Sequence, residues 1–345
     1  MSINELLAFS VKNNASDLHL SSGMPPMIRV DGDLHKVNLP PLDSKVVREL
    51  LFETMTGQQQ KIYEVSHELD FSYELEGVAR FRVNAFQQQR GAAGVFRTIP
   101  NKVASFEELG LPAVIPEMVN RRNGLILVTG PTGSGKSTSL AAMIHMINQA
   151  RYEHIITIED PIEFIHHSDK CLINQREVGR DTFSFANALR AALREDPNII
   201  LVGEMRDPET IHLALTAAET GHLVFATLHT NSAAKTINRI IDAFPGGEKE
   251  MVRSMLSESL YGVISQALVK RTNGGRIAAT EIMICTSAIR NLIREDKIPQ
   301  IYSAIQTSQS LGMHTMDMCL RDLAAANIIA KTSAHEFAAN KDSFK

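Results

Sequence analysis

Leu125-Ile126-Leu127-Val128-Thr129-Gly130-Pro131-Thr132-Gly133-Ser134-Gly135-Lys136-Ser137-Thr138 runs from an unbroken apolar stretch into a glycine-rich turn. Leu140, Met143, Ile144 and Ile147 then follow at helical spacing. An apolar run without alternation suits a strand buried on both faces of a parallel sheet, and the later periodicity suits a helix. Between them, Gly130 to Ser137 satisfies G-x-x-x-x-G-K-[ST] in the strand–loop–helix context that gives the pattern its meaning. Glycines without Cβ atoms let successive N–H groups ring a phosphate, and the helix that follows points its positive end at the same anion. Gly130, Pro131, Thr132, Gly133, Ser134, Gly135, Lys136, Ser137 and Thr138 are therefore the expected phosphate-binding residues. Lys136 supplies a cation to the β- and γ-phosphates of ATP, and the Ser137 hydroxyl is a hard oxygen ligand for Mg²⁺.

Outward from this motif, apolar runs recur at Ile155–Ile158, Ile199–Val202 and Leu223–Thr227, separated by helical stretches such as Ala186–Arg194 and Glu209–Thr220. Strands alternating with helices predict an α/β domain on a largely parallel sheet. Ligands gather at the C-terminal edge of such a sheet. Glu204, just past Ile199–Val202, is the expected second Mg²⁺ ligand, reaching the ion directly or through water. Glu159, Asp160 and Glu163 follow another strand, and chemistry alone allows any of them to orient the attacking water. His222 and His229 frame the strand Leu223–Leu228. Their separation of seven sets them on opposite faces of a continuous strand, which disfavours a shared metal. Position at a strand end makes them candidates for sensing nucleotide.

The first hundred residues read as a smaller mixed α/β unit. Met27–Leu34 places Asp31-Gly32 between strand-like flanks, a hairpin signal. Arg80–Ala85 alternates, with Phe81, Val83 and Ala85 on one face and Arg80, Arg82 and Asn84 on the other. Gly94–Ile99 is the next strand, ended by Pro100, and residues 45–55 and 58–66 have helical periodicity. Residues 101–122, with Gly110, Pro112 and Pro116, read as a linker. The core then spans 123–285, and a helical C-terminal region covers 286–345 and ends in a polar tail.

With 345 residues, 44% hydrophobic and 21% charged, the chain can bury cores in more than one domain. A net charge of -4 opposes coating of nucleic acid by bulk charge, so no nucleic-acid partner is expected. Cys171, Cys285 and Cys319 form no C-x-x-C pair and read as buried free thiols. Neither a signal peptide nor an apolar run of about 20 residues is present, so the expected location is the cytoplasm.

The phosphate motif, the acidic box Ile158-Glu159-Asp160-Pro161-Ile162-Glu163, the segment Leu201-Val202-Gly203-Glu204-Met205-Arg206-Asp207 and the histidine box ending Leu228-His229-Thr230 occur in the order seen in the secretion ATPase superfamily of type II secretion and type IV pili. The chain resembles that family from residue 1 to about 335. Ala288-Ile289-Arg290-Asn291-Leu292-Ile293-Arg294-Glu295 resembles the signature of its pilus-retraction branch. The resemblance implies a PAS-like N-terminal domain, a RecA-like core and a homohexamer beneath the inner-membrane platform protein PilC, powering pilus retraction and twitching motility. An accessory retraction ATPase is a further implied partner, and the alternatives to the retraction motor are an accessory retraction paralogue and a RecA-like nucleic-acid translocase. Glu163 takes the role of catalytic glutamate, Glu204 the Walker B acid, and His222 and His229 the histidine-box positions. Arg82 and Arg97, on strands with no local acidic neighbour, take the place of the family's N-terminal arginines near the phosphates. Asn198 stands where relatives carry Asp. The tetracysteine module of extension relatives has no counterpart here, which favours retraction.

Overall fold

The computed structural model describes residues 2–99 and 103–344. The chain divides into two compact units, Met1–Lys102 with Pro161–Ile165, and Val103–Asp160 with His166–Lys345. The strand end read at Pro100 and the start of the linker at Asn101 lie outside the described residues.

The alternation read in residues 80–85 lies on the strand next to one edge of an antiparallel sheet. The first unit runs α1 (Ile3–Lys12), β1 (Asp17–Ser21), β2 (Met27–Val30), β3 (Asp33–Lys36), α2 (Ser44–Phe52), α3 (Gly57–Ser66), β4 (Glu68–Leu75), β5 (Ala79–Gln88) and β6 (Gly91–Ile99). Strand order is β3-β2-β1-β6-β5-β4. Asp31-Gly32 is the two-residue turn between β2 and β3, as its sequence announces, with Val30 paired to Asp33. Ser2, Asp43 and Thr56 cap the three helices by accepting from backbone N–H groups of the first turn. Leu18, Phe96, Val83 and Phe71 are cross-strand neighbours in one row, and all four are buried with residues of the helices. Burying each such side chain is worth about 1.5–3 kcal/mol, so this row is the spine of the unit's core.

One residue along each strand, the opposite face carries the row Arg29, Asp17, Arg97, Arg82 and Ser72. Asp17 is only 5% exposed. Its carboxylate lies 3.0 Å from Arg97 Nε and 3.9 Å from Arg29 Nε, and Ser16 Oγ donates to it at 2.8 Å. Arg97 has no acidic partner nearby in sequence, as read, but it meets one 80 residues away.

In the second unit, residues 103–122 carry α4 (Phe106–Leu109) and α5 (Val114–Val119), and Ile115, Met118 and Val119 are fully buried. Then come β7 (Gly124–Thr129), α6 (Lys136–Ala150), β8 (His154–Glu159), β9 (Leu172–Glu177), α7 (Phe185–Ala192), β10 (Ile199–Val202), α8 (Pro208–Glu219), β11 (Leu223–Leu228), α9 (Ala233–Asp242), α10 (Lys249–Ser259), β12 (Leu260–Lys270), β13 (Arg276–Ile284), α11 (Ser287–Arg294), α12 (Ile301–Gln306), α13 (Met316–Ala325) and α14 (Lys331–Phe337). The sheet order is β13-β12-β7-β11-β10-β8-β9, parallel except for the antiparallel β12–β13 pair. Leu125 and Leu127 pack with α7 to α12 on one face, while Ile126 and Val128 pack with α5 and α6 on the other. Two apolar faces on one strand are why its sequence shows no alternation.

The C-terminal region is helical as expected, but its tail is anchored. Phe344 and Ala338 are buried beside Val269 and Leu320, and the Asp317 carboxylate accepts from the N–H groups of Ala339 and Asn340 at 2.7 and 2.9 Å. On α11, Ile289 and Ile293 are buried whereas Ala288 is exposed. Arg294 pairs with Glu258 of α10 at 2.8 Å. Among the cysteines, Cys171 and Cys285 are buried and Cys319 is half-buried, all as free thiols.

Candidate nucleotide site

β7 ends at Thr129, and Gly130 turns the chain with φ 147°. A Cβ on Gly130 would stand 2.3 Å from the Gln266 carbonyl oxygen, so no other residue fits against β12 here. Gly135 precedes α6 in the left-handed region, and no side chain caps that helix. Its first N–H groups are therefore left for an anion, together with the positive end of a 15-residue helix. Lys136 is buried along the loop, and its Nζ donates to the carbonyl oxygens of Gly130 at 2.8 Å and Pro131 at 3.0 Å. Pro131, Thr132 and Gly133 are exposed, Ser134 is buried, and Ser137 and Thr138 are half-buried at the helix start.

Gly130 N donates to Leu228 O at 3.3 Å, which ties the loop to the end of β11. From that end His229 reaches Glu204, with Nε2 3.3 Å from Oε1. The other oxygen of Glu204 lies 2.7 Å from Arg206. Burial pushes the Glu204 pKa up, but the hydrogen bond and charge of Arg206, aided by His229, outweigh it and hold the carboxyl below its ordinary range. Gly203 allows this placement. Its N–H donates to Ile158 O at 2.7 Å, and a Cβ there would stand 3.0 Å from that same oxygen. Thr227 Oγ1 donates to the Gly203 carbonyl, and Met205 N donates to Thr227 O at 3.1 Å, so β10 and β11 stay joined beyond their ladder.

The histidines separate. His222 precedes β11 at the opposite end from His229, about 20 Å away at strand rise. There its Nδ1 lies 2.9 Å from Ala217 O, and its carbonyl accepts from Gly124 N. His222 is not brought to the phosphate loop, which corrects its place among the nucleotide-binding residues. Only one end of a parallel strand faces the ligand edge, and a spacing of seven spans the whole strand.

The three acids also part company. Glu159 accepts from Thr157 Oγ1 at 2.6 Å and from Gln175 Nε2 at 3.2 Å, which fastens it to the sheet. Glu163 belongs to the segment grouped with the first unit, between buried Ile162 and Phe164. Its Oε1 lies 3.7 Å from Arg82. Sequence reading missed Arg206 as the partner of Glu204. The signal was local, an Arg two residues beyond the acid.

The family model "Type II/IV secretion system protein" matches residues 1–325. The chain belongs to that family. Within the family, it is 65% identical over 344 residues to the type IV pilus retraction ATPase PilT of Pseudomonas aeruginosa, covering all of both chains. It is 60% identical over 319 residues to a twitching motility protein of Neisseria gonorrhoeae, covering 92% of this chain and 85% of the relative. A crystal structure of the pilus retraction motor PilT with bound ADP superposes with a TM-score of 0.90 at 47% identity, covering 99% of this chain and 98% of that one. The expected fold class, an N-terminal α/β domain followed by a P-loop α/β core with a helical C-terminal region, is thereby established. Among the described residues, no helix is long and apolar enough to cross a membrane.

Proposed function

We infer that this chain is an ATPase that powers retraction of type IV pili, and with it twitching motility. The observation that carries the reading is full-length identity of 65% to a retraction ATPase, in a chain whose phosphate loop and Walker B acid are structurally intact. Backbone N–H groups of the loop from Thr132 to Ser137, at the start of α6, hold the phosphates. Lys136 exchanges the carbonyls of Gly130 and Pro131 for β- and γ-phosphate oxygens.

The residues present fit Mg²⁺. Ser137 offers a hydroxyl, and Glu204 offers a carboxylate kept ionised by Arg206 and His229. Phosphate oxygens and water would complete the shell around the ion, as Mg²⁺ prefers. When bound, the ion neutralises charge that develops on the phosphates. His229 shares the Glu204 carboxylate and so reports on what that carboxylate holds.

Glu163 carries the role of base that orients the attacking water, with Arg82 as its charge partner. In this reading the first unit is the family's PAS-like domain, and the working form is a cytoplasmic homohexamer docked on the platform protein PilC. An accessory retraction ATPase is a further partner in the same reading.

Steady-state turnover by the purified chain with ATP and Mg²⁺ tests the enzymatic part. Wild type is expected to release phosphate and Lys136→Ala to lose about 10²-fold or more, since a preorganised cation at a developing charge is worth that much. Equal turnover by the two would refute the phosphate-site assignment.

A further inference from the structure

Glu281 is a buried acid that nucleotide chemistry does not use. It lies on β13, the edge strand of the large sheet, and is 3% exposed. Its Oε1 accepts from Ala233 N at 2.7 Å and its Oε2 from Met316 N at 3.5 Å. Ala233 opens α9 and Met316 opens α13. Both helices already have side-chain caps, from Ser232 and Thr315, that accept from the N–H groups of Lys235 and Met318 later in the same first turn. A single carboxylate therefore takes a first-turn donor from two ten-residue helices and faces both positive ends. Burying a charge is costly unless donors of this kind meet it.

The helix pinned at Ala233 is the one that follows the histidine box. Only His229, Thr230, Asn231 and Ser232 lie between β11 and α9. At the near end of this loop, Leu228 O accepts from Gly130 N of the phosphate loop. At the far end, Glu281 holds Ala233. Between them Thr230 Oγ1 lies 2.7 Å from Thr236 Oγ1, which donates to Ser232 O at 2.7 Å, so the loop is stitched to the first turn of α9. The His229 side chain is 44% exposed, so packing does not hold it against Glu204 and the loop backbone must.

We propose that Glu281 is a positioning residue of the nucleotide site: by fixing the start of α9 it sets the loop that holds His229 against Glu204. The inference rests on the reading above, in which the His229–Glu204 pair takes part in hydrolysis. A helix start that drifts carries the imidazole with it, and a displacement near 1 Å at a reacting site costs up to about 10²-fold in rate. A carboxylate that served stability alone would leave kcat unchanged in whatever fraction stays folded.

The test is a double-mutant cycle on the purified full chain, with kcat and KM for ATP and the affinity for ADP by calorimetry. Glu281→Ala is expected to lower kcat about tenfold or more while KM and ADP affinity stay within about twofold, since ADP is held by the phosphate loop itself. Glu281→Gln keeps one acceptor oxygen and is expected to lose less. In a His229→Ala background, Glu281→Ala is expected to cause no further loss, because the two act through one contact. Full additivity of the two losses, a loss confined to KM, or wild-type kcat in Glu281→Ala would overturn the proposal. If Glu281→Ala does not fold, the same cycle with Glu281→Gln decides by the same criteria. Wild-type turnover in His229→Ala would instead overturn the reading on which the proposal rests, and the proposal with it.

Discussion

His229 Nε2 and Glu204 Oε1 stand 3.3 Å apart at the C-terminal edge of adjacent parallel strands, and Arg206 occupies the other oxygen of the same carboxylate. The pair joins the residue after β11 to the acid after β10 within one unit of the chain. Because the folded-state pKa of Glu204 lies below its ordinary value, its contribution to stability is fully present above the unfolded pKa. That contribution is lost as pH falls through the folded value. Below about pH 4.3, the ordinary glutamate range, the melting temperature of wild type is therefore expected to fall more steeply than that of Glu204→Gln. Parallel acid profiles would show that the contacts of Glu204 carry no net stabilisation.

Glu163 and Glu159 differ in what holds them, and their variants should differ in kind. Glu163→Gln keeps the shape of the side chain and loses the basic carboxylate, so ATP should still bind while kcat falls about 10²-fold or more. Glu159 is fastened to Thr157 and Gln175 in the sheet, so Glu159→Gln should lower the melting temperature and spare most turnover. The reverse pattern, a dead Glu159→Gln beside an active Glu163→Gln, would move the base role to Glu159.

Arg82 and Arg97 face each other across β5 and β6 but have different partners. Removing Arg97 leaves the buried Asp17 carboxylate short of a donor, an exposure of unmet charge that costs about 1–3 kcal/mol. Arg97→Ala is expected to lower thermal stability, and Asp17→Asn in the same chain to recover part of it. Arg82→Ala removes the charge beside Glu163 and is expected to lower kcat with little change in melting temperature. Thermal melts and phosphate release on the same preparations check both, and an Arg97→Ala chain as stable as wild type would contradict the structural role given to that residue.

Arg290 and Arg294 lie on α11, and Arg294 meets Glu258 in an exposed pair worth a few tenths of a kcal/mol, about the size of other surface pairs. Arg290 is half-buried beside Cys285, and neither arginine belongs to the phosphate loop or the Glu204–His229 pair. The Arg290→Ala, Arg294→Ala double variant should therefore keep most ATPase activity, and the resemblance of residues 288–295 to the pilus-retraction signature is the ground for expecting loss of retraction in cells. Collapse of ATPase activity would place α11 in the hydrolytic machinery, and normal twitching would reduce both arginines to surface charge.

What the sequence made legible was whatever is written in short-range pattern. The five residues Leu125–Thr129 announce a strand with two buried faces, and the Asp31-Gly32 turn announces a hairpin. Gly130–Ser137 announces its ligand because one contiguous loop supplies the whole phosphate cradle. The strands β12 and β13 were not legible in the same way. Ser265 and Gln266 interrupt the apolar run of β12, yet both are buried because their partners, Thr129 and Ser139, lie 136 and 127 residues away. Distance in sequence likewise hid Asp17 from Arg97 and Glu258 from Arg294. His222 was misplaced for a different reason. Spacing along a strand gives faces, and which end of the sheet faces the ligand comes from strand direction and order.

Whether ATP hydrolysis by this chain drives pilus retraction is decided in piliated cells. The gene is deleted and replaced by wild type or by Lys136→Ala, and surface pili and twitching zones are scored on the same colonies. Deletion and Lys136→Ala should both give hyperpiliated cells that do not twitch, and wild type should restore normal pili and movement. Loss of pili on deletion would contradict the account by making the chain an extension motor, and full rescue by Lys136→Ala would contradict it by removing ATP hydrolysis from the work.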